Sequence, residues 1–393
     1  MDPLQAAPIV TRGLAVDMKS AGAKSQVTTR TRAHLAALPF VVPTRPPVSQ
    51  VRHRDTHDML APKAVRQMSM AGFDKEFIDI VDYIYRITHR IWVERAIGRI
   101  KDYYDDPCVV YSPLGVTRTV ADVVSGTLAT MNAFPDRESH FLNVAWSGDA
   151  DAGFYTSHLG VSRMTNRGPT IYGPATNRPV LIRTAADCVS RNNKIHTEWL
   201  IRDNGALVRQ MGFDRHAVAQ QIAVRPAAAP VREAAKSGRQ GRGTKGATNT
   251  QRSAPAQFIE QVMHDLWNRR RLDLLANYFA PDVVVHSGGG RVAAGLRNVS
   301  ALIISMLTSI PDAALRVDHV CWSEERDGVI VAARWVLEGT TRAGGLLGEV
   351  PSGHAVSMMG ISHFRFYGEK IVEEWTLFDE VAMLVQVYRE EET

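Results

Sequence analysis

Apolar positions along this chain switch between two periods, and the same switch happens twice. Residues 77–104, FIDIVDYIYRITHRIWVERAIGRIKDYY, and 257–279, QFIEQVMHDLWNRRRLDLLANYF, space their apolar side chains three and four apart, the period of a helix with one buried face. A short strand-like run follows each, CVVYSP at 108–113 and DVVVHS at 282–287. A second helical stretch comes next, 119–134 and 298–310, and each closes on Pro-Asp, where proline cannot continue a helix. The remaining apolar runs predict long strands over 140–146, 153–164, 180–191 and 194–203, then over 316–322, 329–339, 354–367 and 370–378. Helices followed by a strand meander predict an α+β domain whose curved antiparallel sheet wraps around its helices.

The two passes are copies of one another. At a spacing of 176 residues, Pro135-Asp136 meets Pro311-Asp312, Trp146-Ser147 meets Trp322-Ser323, and Lys194-Ile195 meets Lys370-Ile371. TEWLIRD then meets EEWTLFD, aligning Glu198 with Glu374, Trp199 with Trp375 and Asp203 with Asp379. Nearer each start the spacing is 175, pairing His89 with His264 and Trp92 with Trp267, as a one-residue loop insertion would give. The chain therefore reads as a tandem duplication of one domain.

Composition divides the rest. Residues 1–72 read as an N-terminal extension, partly disordered, with 73–222 as domain 1, 223–256 as a flexible basic linker and 257–393 as domain 2. The net charge of +5 is more than accounted for by two segments: Met1 to Gly72 has ten Lys/Arg against four Asp/Glu, and Arg225 to Pro255 seven against one. The domains themselves are slightly acidic, which argues against a nucleic-acid partner. No apolar run of membrane-spanning length occurs, and three widely spaced cysteines predict no disulfide framework, so a cytoplasmic protein with no membrane span is expected. No His/Cys/Asp cluster has metal-ligand spacing, and Ser287-Gly288-Gly289-Gly290 lacks the pattern of a phosphate loop, so neither metal nor cofactor is expected.

The ordered set of helices, Pro-Asp, long strands, the VPSGHAV turn, the YGEKI hairpin and a Glu-Trp with an aspartate just beyond resembles the SnoaL-like polyketide cyclases and ester cyclases. These belong to the cone-shaped superfamily of nuclear transport factor 2 and ketosteroid isomerase. The resemblance covers residues 77–212 and 257–388 and implies two α+β cones. It also implies that Asp379 stands where such cyclases place their general acid/base, with Asp203 in the same place in the first copy. His363 and His286 fall at pocket positions of the second copy. The first copy has Asp187 in place of His363, and Val110 with Tyr111 adjacent in place of His286.

Strand parity puts Glu373, Trp375, Leu377 and Asp379 on one face, and Thr197, Trp199, Ile201 and Asp203 on the matching face of the first copy. With that face turned to the cavity, each aspartate sits beside an indole, and burial raises its pKa toward that of a useful base. Proton abstraction next to a carbonyl then needs a donor for the enolate. His363 or His286 could serve in copy two, and Arg183, His158, Tyr155 or Tyr111 in copy one, where Asp187 could also share a proton with Asp203. The bland alternative makes each aspartate a helix cap.

The expected function is cofactor-independent carbon-acid chemistry (aldol-type cyclisation, retro-aldol cleavage, isomerisation or dehydration) on a mostly apolar, carbonyl-bearing or aromatic small molecule, with Trp199 and Trp375 as pocket walls. The alternatives are a non-catalytic module binding a small ligand or a partner, and water attack on an epoxide. The copies are expected to form an intrachain pseudo-dimer, or the chain a homodimer, through the sheets.

Overall fold

The computed structural model describes residues 37–389 apart from 53, 62–64 and 226–252. The expected linker falls mostly outside the described residues, as do residues 1–36 of the extension. Each half opens on a helix that its sequence caps or starts: α1 (Ile80–Trp92) behind Asp79, whose carboxylate accepts the N–H of Asp82, and α2 (Val120–Ala133) behind Thr119. In the first half these helices pack into a sheet of β1 (Tyr104–Ser112), β2 (Gly115–Thr117), β3 (Glu138–Asp149), β4 (Gly153–Thr165), β5 (Pro179–Arg191) and β6 (Lys194–Arg202). Helices α3 (Asn204–Met211) and α4 (Arg215–Ala223) close that half.

The second half repeats the plan. Helices α5 (Ala254–Met263) and α6 (Leu296–Ser309) pack into β7 (Phe279–Ser287), β8 (Arg291–Ala294), β9 (Ala314–Glu325), β10 (Gly328–Thr340), β11 (Ala355–Tyr367) and β12 (Lys370–Phe378), and α7 (Glu380–Tyr388) follows. Pairing is the same in both. β1 lies parallel to β6 and antiparallel to β2, and β6, β5, β4 and β3 form an antiparallel run; β7 with β12, β8, β11, β10 and β9 does likewise. The two six-stranded sheets join into one of twelve strands where β3 touches β9 at Trp146 and Trp322.

Each sheet has an inner face toward its own helices and an outer face toward the other sheet. Trp199, Ile201, Tyr155 and Ala185 of the first half share one buried cluster with Trp375, Leu377, Ile361 and Met359 of the second. A large apolar side chain buried this way contributes about 2 kcal/mol, so this seam is a second core.

The described part of residues 37–72 packs against both halves. Phe40 is buried against Phe258 and Phe366 of the second half, with ring centroids 5.5 and 5.1 Å away, whereas Val51, Met59 and Met70 enter the core of the first. Between them Arg45 lies between the indoles of Trp146 and Trp322, 4.1 and 4.0 Å from their centroids, and donates to both of their carbonyl oxygens at 2.8 Å. The segment thus stitches the two sheets together at the point where their edges meet. The three cysteines are free and buried, and among the described residues no helix is long and apolar enough to cross a membrane.

Candidate functional site

The inner face of the first half encloses a cavity of about 210 Å³, just below the ~300–1,000 Å³ usual for small-molecule sites and enough for a molecule of one or two rings. Its walls include Ile84, Ile87, Ile91 and Trp92 from α1 and Val123 from α2, with Phe141, Cys188 and Leu200 from the sheet. Into this apolar space project Glu198, His158, Arg137 and Arg202.

Sheet register explains the convergence. Glu198, Leu200 and Arg202 alternate along β6 on the inner face, roughly 13 Å separating the first and last Cα. Glu198 is 7% exposed and accepts a hydrogen bond from the Tyr104 hydroxyl at 2.8 Å. Burial raises its carboxyl pKa, with the Tyr104 bond and the charge of Arg202 opposing. Burial pushes His158 down to about 4, so the ring is neutral near pH 7, and its solvent-shielded Nδ1 has no hydrogen-bond partner among the described residues. Arg137 lies 4.2 Å over the Trp92 ring and donates from Nε to Ser139 and Ser162 at 3.0 and 3.1 Å. Arg202 approaches the same indole to 5.9 Å.

The matching cavity on the inner face of the second half measures about 40 Å³. Across the first sheet runs the row Phe141, Gly160, Thr184, Arg202; the matching row of the second is Val317, Trp335, Gly360, Phe378. An indole thus stands where the first half has a hydrogen atom. Gly360 makes the room for it, since a Cβ there would come within 2.0 Å of the Trp335 ring. Four residues further along the same strands, Phe364 takes the place of Cys188. The Trp335 Nε1–H donates to Ser362 Oγ at 2.9 Å, Ser362 and Thr376 share a bond of 2.7 Å, and the Thr376 hydroxyl donates to Glu374. Burial pushes Glu374 up to about 7, but its carboxyl end is tied into that chain.

The expected catalytic face is the outer one, and this corrects most of the site assignment. Asp203 caps α3 by accepting the Ala206 N–H at 3.0 Å, and it also accepts the N–H groups of Gly289 and Gly290 from the other half at 2.8 and 2.9 Å. Those two glycines have φ of 70° and 66°, the left-handed geometry that turns successive N–H groups toward one anion, so the triple-glycine run is a nest for a carboxylate of the same chain. Asp379 caps α7 through Val381 and Ala382 at 3.0 and 3.1 Å and accepts from Asn204 Nδ2 at 2.5 Å. Burial pushes it up to about 7, the expected direction, at a cap rather than in a cavity.

The other outer-face residues belong to the seam. Asp187 accepts from Tyr155 and lies 3.7 Å from Arg334 Nε, so it shares no proton with Asp203. Arg334 sits 3.8 Å over Trp199, on which Tyr111 stacks at 5.7 Å. His363 is buried between Ser157, at 2.9 Å, and Asn143, and burial pushes it down to about 3. Arg183 donates to His286 Nδ1 at 3.1 Å, and the His286 ring stacks on Trp375 at 5.9 Å. Of the residues given a chemical role in the sequence, His158 lines the cavity and the others of that set do not; Val110 lines it as well, and Glu198, Arg137, Arg202 and Gly160 were given no such role. Asp55, His57 and Asp58 bring ligand atoms within 4.8 Å of one another on the exposed five-residue helix Thr56–Leu60, but Asp55 is already its N-cap.

A model of the SnoaL-like polyketide cyclase family matches residues 257–387, the half whose cavity is filled. Wild-type IdmH from Streptomyces antibioticus, assigned as a polyketide cyclase, is 26% identical over 34% of this chain and 96% of its own, with a TM-score of 0.29. AclR from Streptomyces galilaeus, assigned as a hydroxylase, is 27% identical over 35% of this chain and 86% of its own, with a TM-score of 0.29. A SnoaL-like polyketide cyclase from Agrobacterium tumefaciens is 21% identical over 32% and 91%, with a TM-score of 0.26. No curated protein matches the chain. Residues 257–387 are thus similar to the SnoaL-like polyketide cyclases, and the first half repeats the strand pairings of that matched half.

Proposed function

We propose that the first half is the working site of a cofactor-independent, cyclase-like enzyme acting on a small, mostly apolar carbonyl compound. The second half would serve as its structural partner. The observation that carries this reading is the largely apolar cavity around Glu198, about 210 Å³ against about 40 Å³ for the matching space of the second half.

Glu198 takes the part first expected of the aspartates. Desolvation raises the pKa of its carboxyl, so it binds a proton more readily at neutral pH than a surface glutamate would. Abstraction of a proton α to a substrate carbonyl forms an enolate, whose charge a conjugated system can carry toward the two guanidinium groups. Tyr104 fixes one carboxyl oxygen, and neutral His158 can donate or accept midway along the cavity. Such chemistry includes aldol-type ring closure and its reverse, isomerisation and dehydration. The second reading, ligand holding without turnover, is favoured by the bond that already engages Glu198.

Proton exchange separates the two. The full chain incubated with 1-(2-naphthyl)butane-1,3-dione in D2O should accelerate α-deuteration seen by NMR, and E198Q should lose the acceleration. Binding of the diketone without accelerated exchange in the wild type would favour the holding role.

A further inference from the structure

Several arginines packed inside this fold meet carboxylates, and others rest on neutral acceptors, as Arg45 does on two carbonyl oxygens and Arg183 on His286. Arg86 meets Asp82 at 2.9 Å, Arg215 meets Glu380 at 2.7 Å, and Arg334 lies between Asp187 and Asp318 at 3.7 and 3.6 Å. Arg137 and Arg202 are half-buried at one end of the first cavity, and among the described residues neither has a carboxylate at ion-pair distance. Arg137 bonds only to two serine hydroxyls, and Arg202 has a ring contact but no hydrogen bond among the described residues. Both lie against Trp92, so two like charges converge on one indole.

Uncompensated charge in an apolar cavity is costly unless something supplies the counter-charge. The cost registers at Arg137, whose pKa is pushed down to about 9 by burial and by the charge of Arg202. Glu198 is the nearest carboxylate on the same strand face, but it is four residues from Arg202 and bonded to Tyr104. The filled half has no such pair, with Ala313 and Phe378 in the equivalent places.

We propose that Arg137, Arg202 and the Trp92 ring form an anion subsite, so that the ligand of the first cavity is an aromatic or polycyclic acid, with its carboxylate or an acidic enol held by the guanidinium groups. This rests on the reading of that cavity as a small-molecule site, and it adds the polarity of the ligand: apolar body along α1, acidic group at the Arg end. The planar fork of arginine suits a carboxylate, and an indole against the fork limits its rotation.

Calorimetry with the full chain tests it, using 2-naphthoate and its neutral counterpart 2-naphthamide. The acid should bind at one site per chain at least about tenfold more tightly than the amide, as charge-assisted hydrogen bonds require. R202Q and R137Q should each erode that preference while the amide still binds. Equal affinity for acid and amide in the wild type, which needs no variant to fold, would overturn the subsite and leave the cavity reading intact; so would a preference that survives in R137Q/R202Q. If neither probe binds, both readings fall.

Discussion

The two halves share strand pairings and differ in what fills them. Gly160, Cys188 and Arg202 leave space on the inner face of the first sheet, whereas Trp335, Phe364 and Phe378 occupy it in the second. The filled half closes its buried polar groups into a hydrogen-bonded chain, while the open half leaves Glu198, His158 and two arginines facing a cavity. Duplication makes such a division possible, because one half can hold the other through the seam of outer faces.

The largest effects should fall on Glu198 and its counterpart unequally. E198Q should slow α-proton exchange by about 10²-fold or more, the usual weight of a positioned base, while 2-naphthamide binding changes little. E374Q should leave exchange as it is. Equal loss in both variants would make the halves functionally alike and end the comparison.

Trp335→Ala should cost about 3–5 kcal/mol, since a buried indole is lost and its hydrogen bond to Ser362 with it. Urea denaturation measures the loss. The space released should admit 2-naphthamide, raising the stoichiometry from one to two per chain. A variant that loses stability but gains no second site would mean that the second sheet collapses onto the void.

A smaller effect depends on pH. The folded pKa of Glu374, about 7, lies above its unfolded value, so the stability it contributes is complete below about pH 4 and is lost as pH rises through 7. E374Q cannot ionise. It should match the wild type near pH 4 and become relatively more stable by up to about 3 kcal/mol by pH 8, read from denaturation midpoints at both ends. A constant difference across that range would mean that Glu374 is not strained by burial.

The fold was legible because helical and strand periods and the 176-residue register are local signals that need no knowledge of packing. The site was legible only in part. Parity correctly put Trp199, Ile201 and Asp203 on one face and Glu198, Leu200 and Arg202 on the other, but it cannot say which face is inside when both are buried. In a lone cone the Trp face would meet water and the apolar side chains would decide. Here the outer faces bury each other, so an indole marks the seam as readily as a pocket. Glu198 and Glu374 stood in register in the sequence, but the aspartates next to them drew the assignment. Gly160 against Trp335 was hidden because the spacing drops to 175 over β4 and β10, whereas the strands on either side align at 176.

The smallest effect bears on those aspartates, and it returns to the choice between base and cap. Asp203 uses its two oxygens on three backbone N–H groups, one of its own helix and two of the other half. Asn keeps one acceptor and puts an NH2 against the remaining donors, so Asp203→Asn should cost about 1–2 kcal/mol in stability, the range for a lost cap and a partly unmet N–H. Because the Gly289–Gly290 nest belongs to the second half, part of that loss should appear as earlier opening of the seam, measurable by hydrogen exchange at Gly289 and Gly290. Exchange chemistry in the first cavity should stay within a few-fold of wild type. A folded variant that instead lost α-proton exchange by a hundredfold would restore the carboxylate beside Trp199 as the base and displace Glu198.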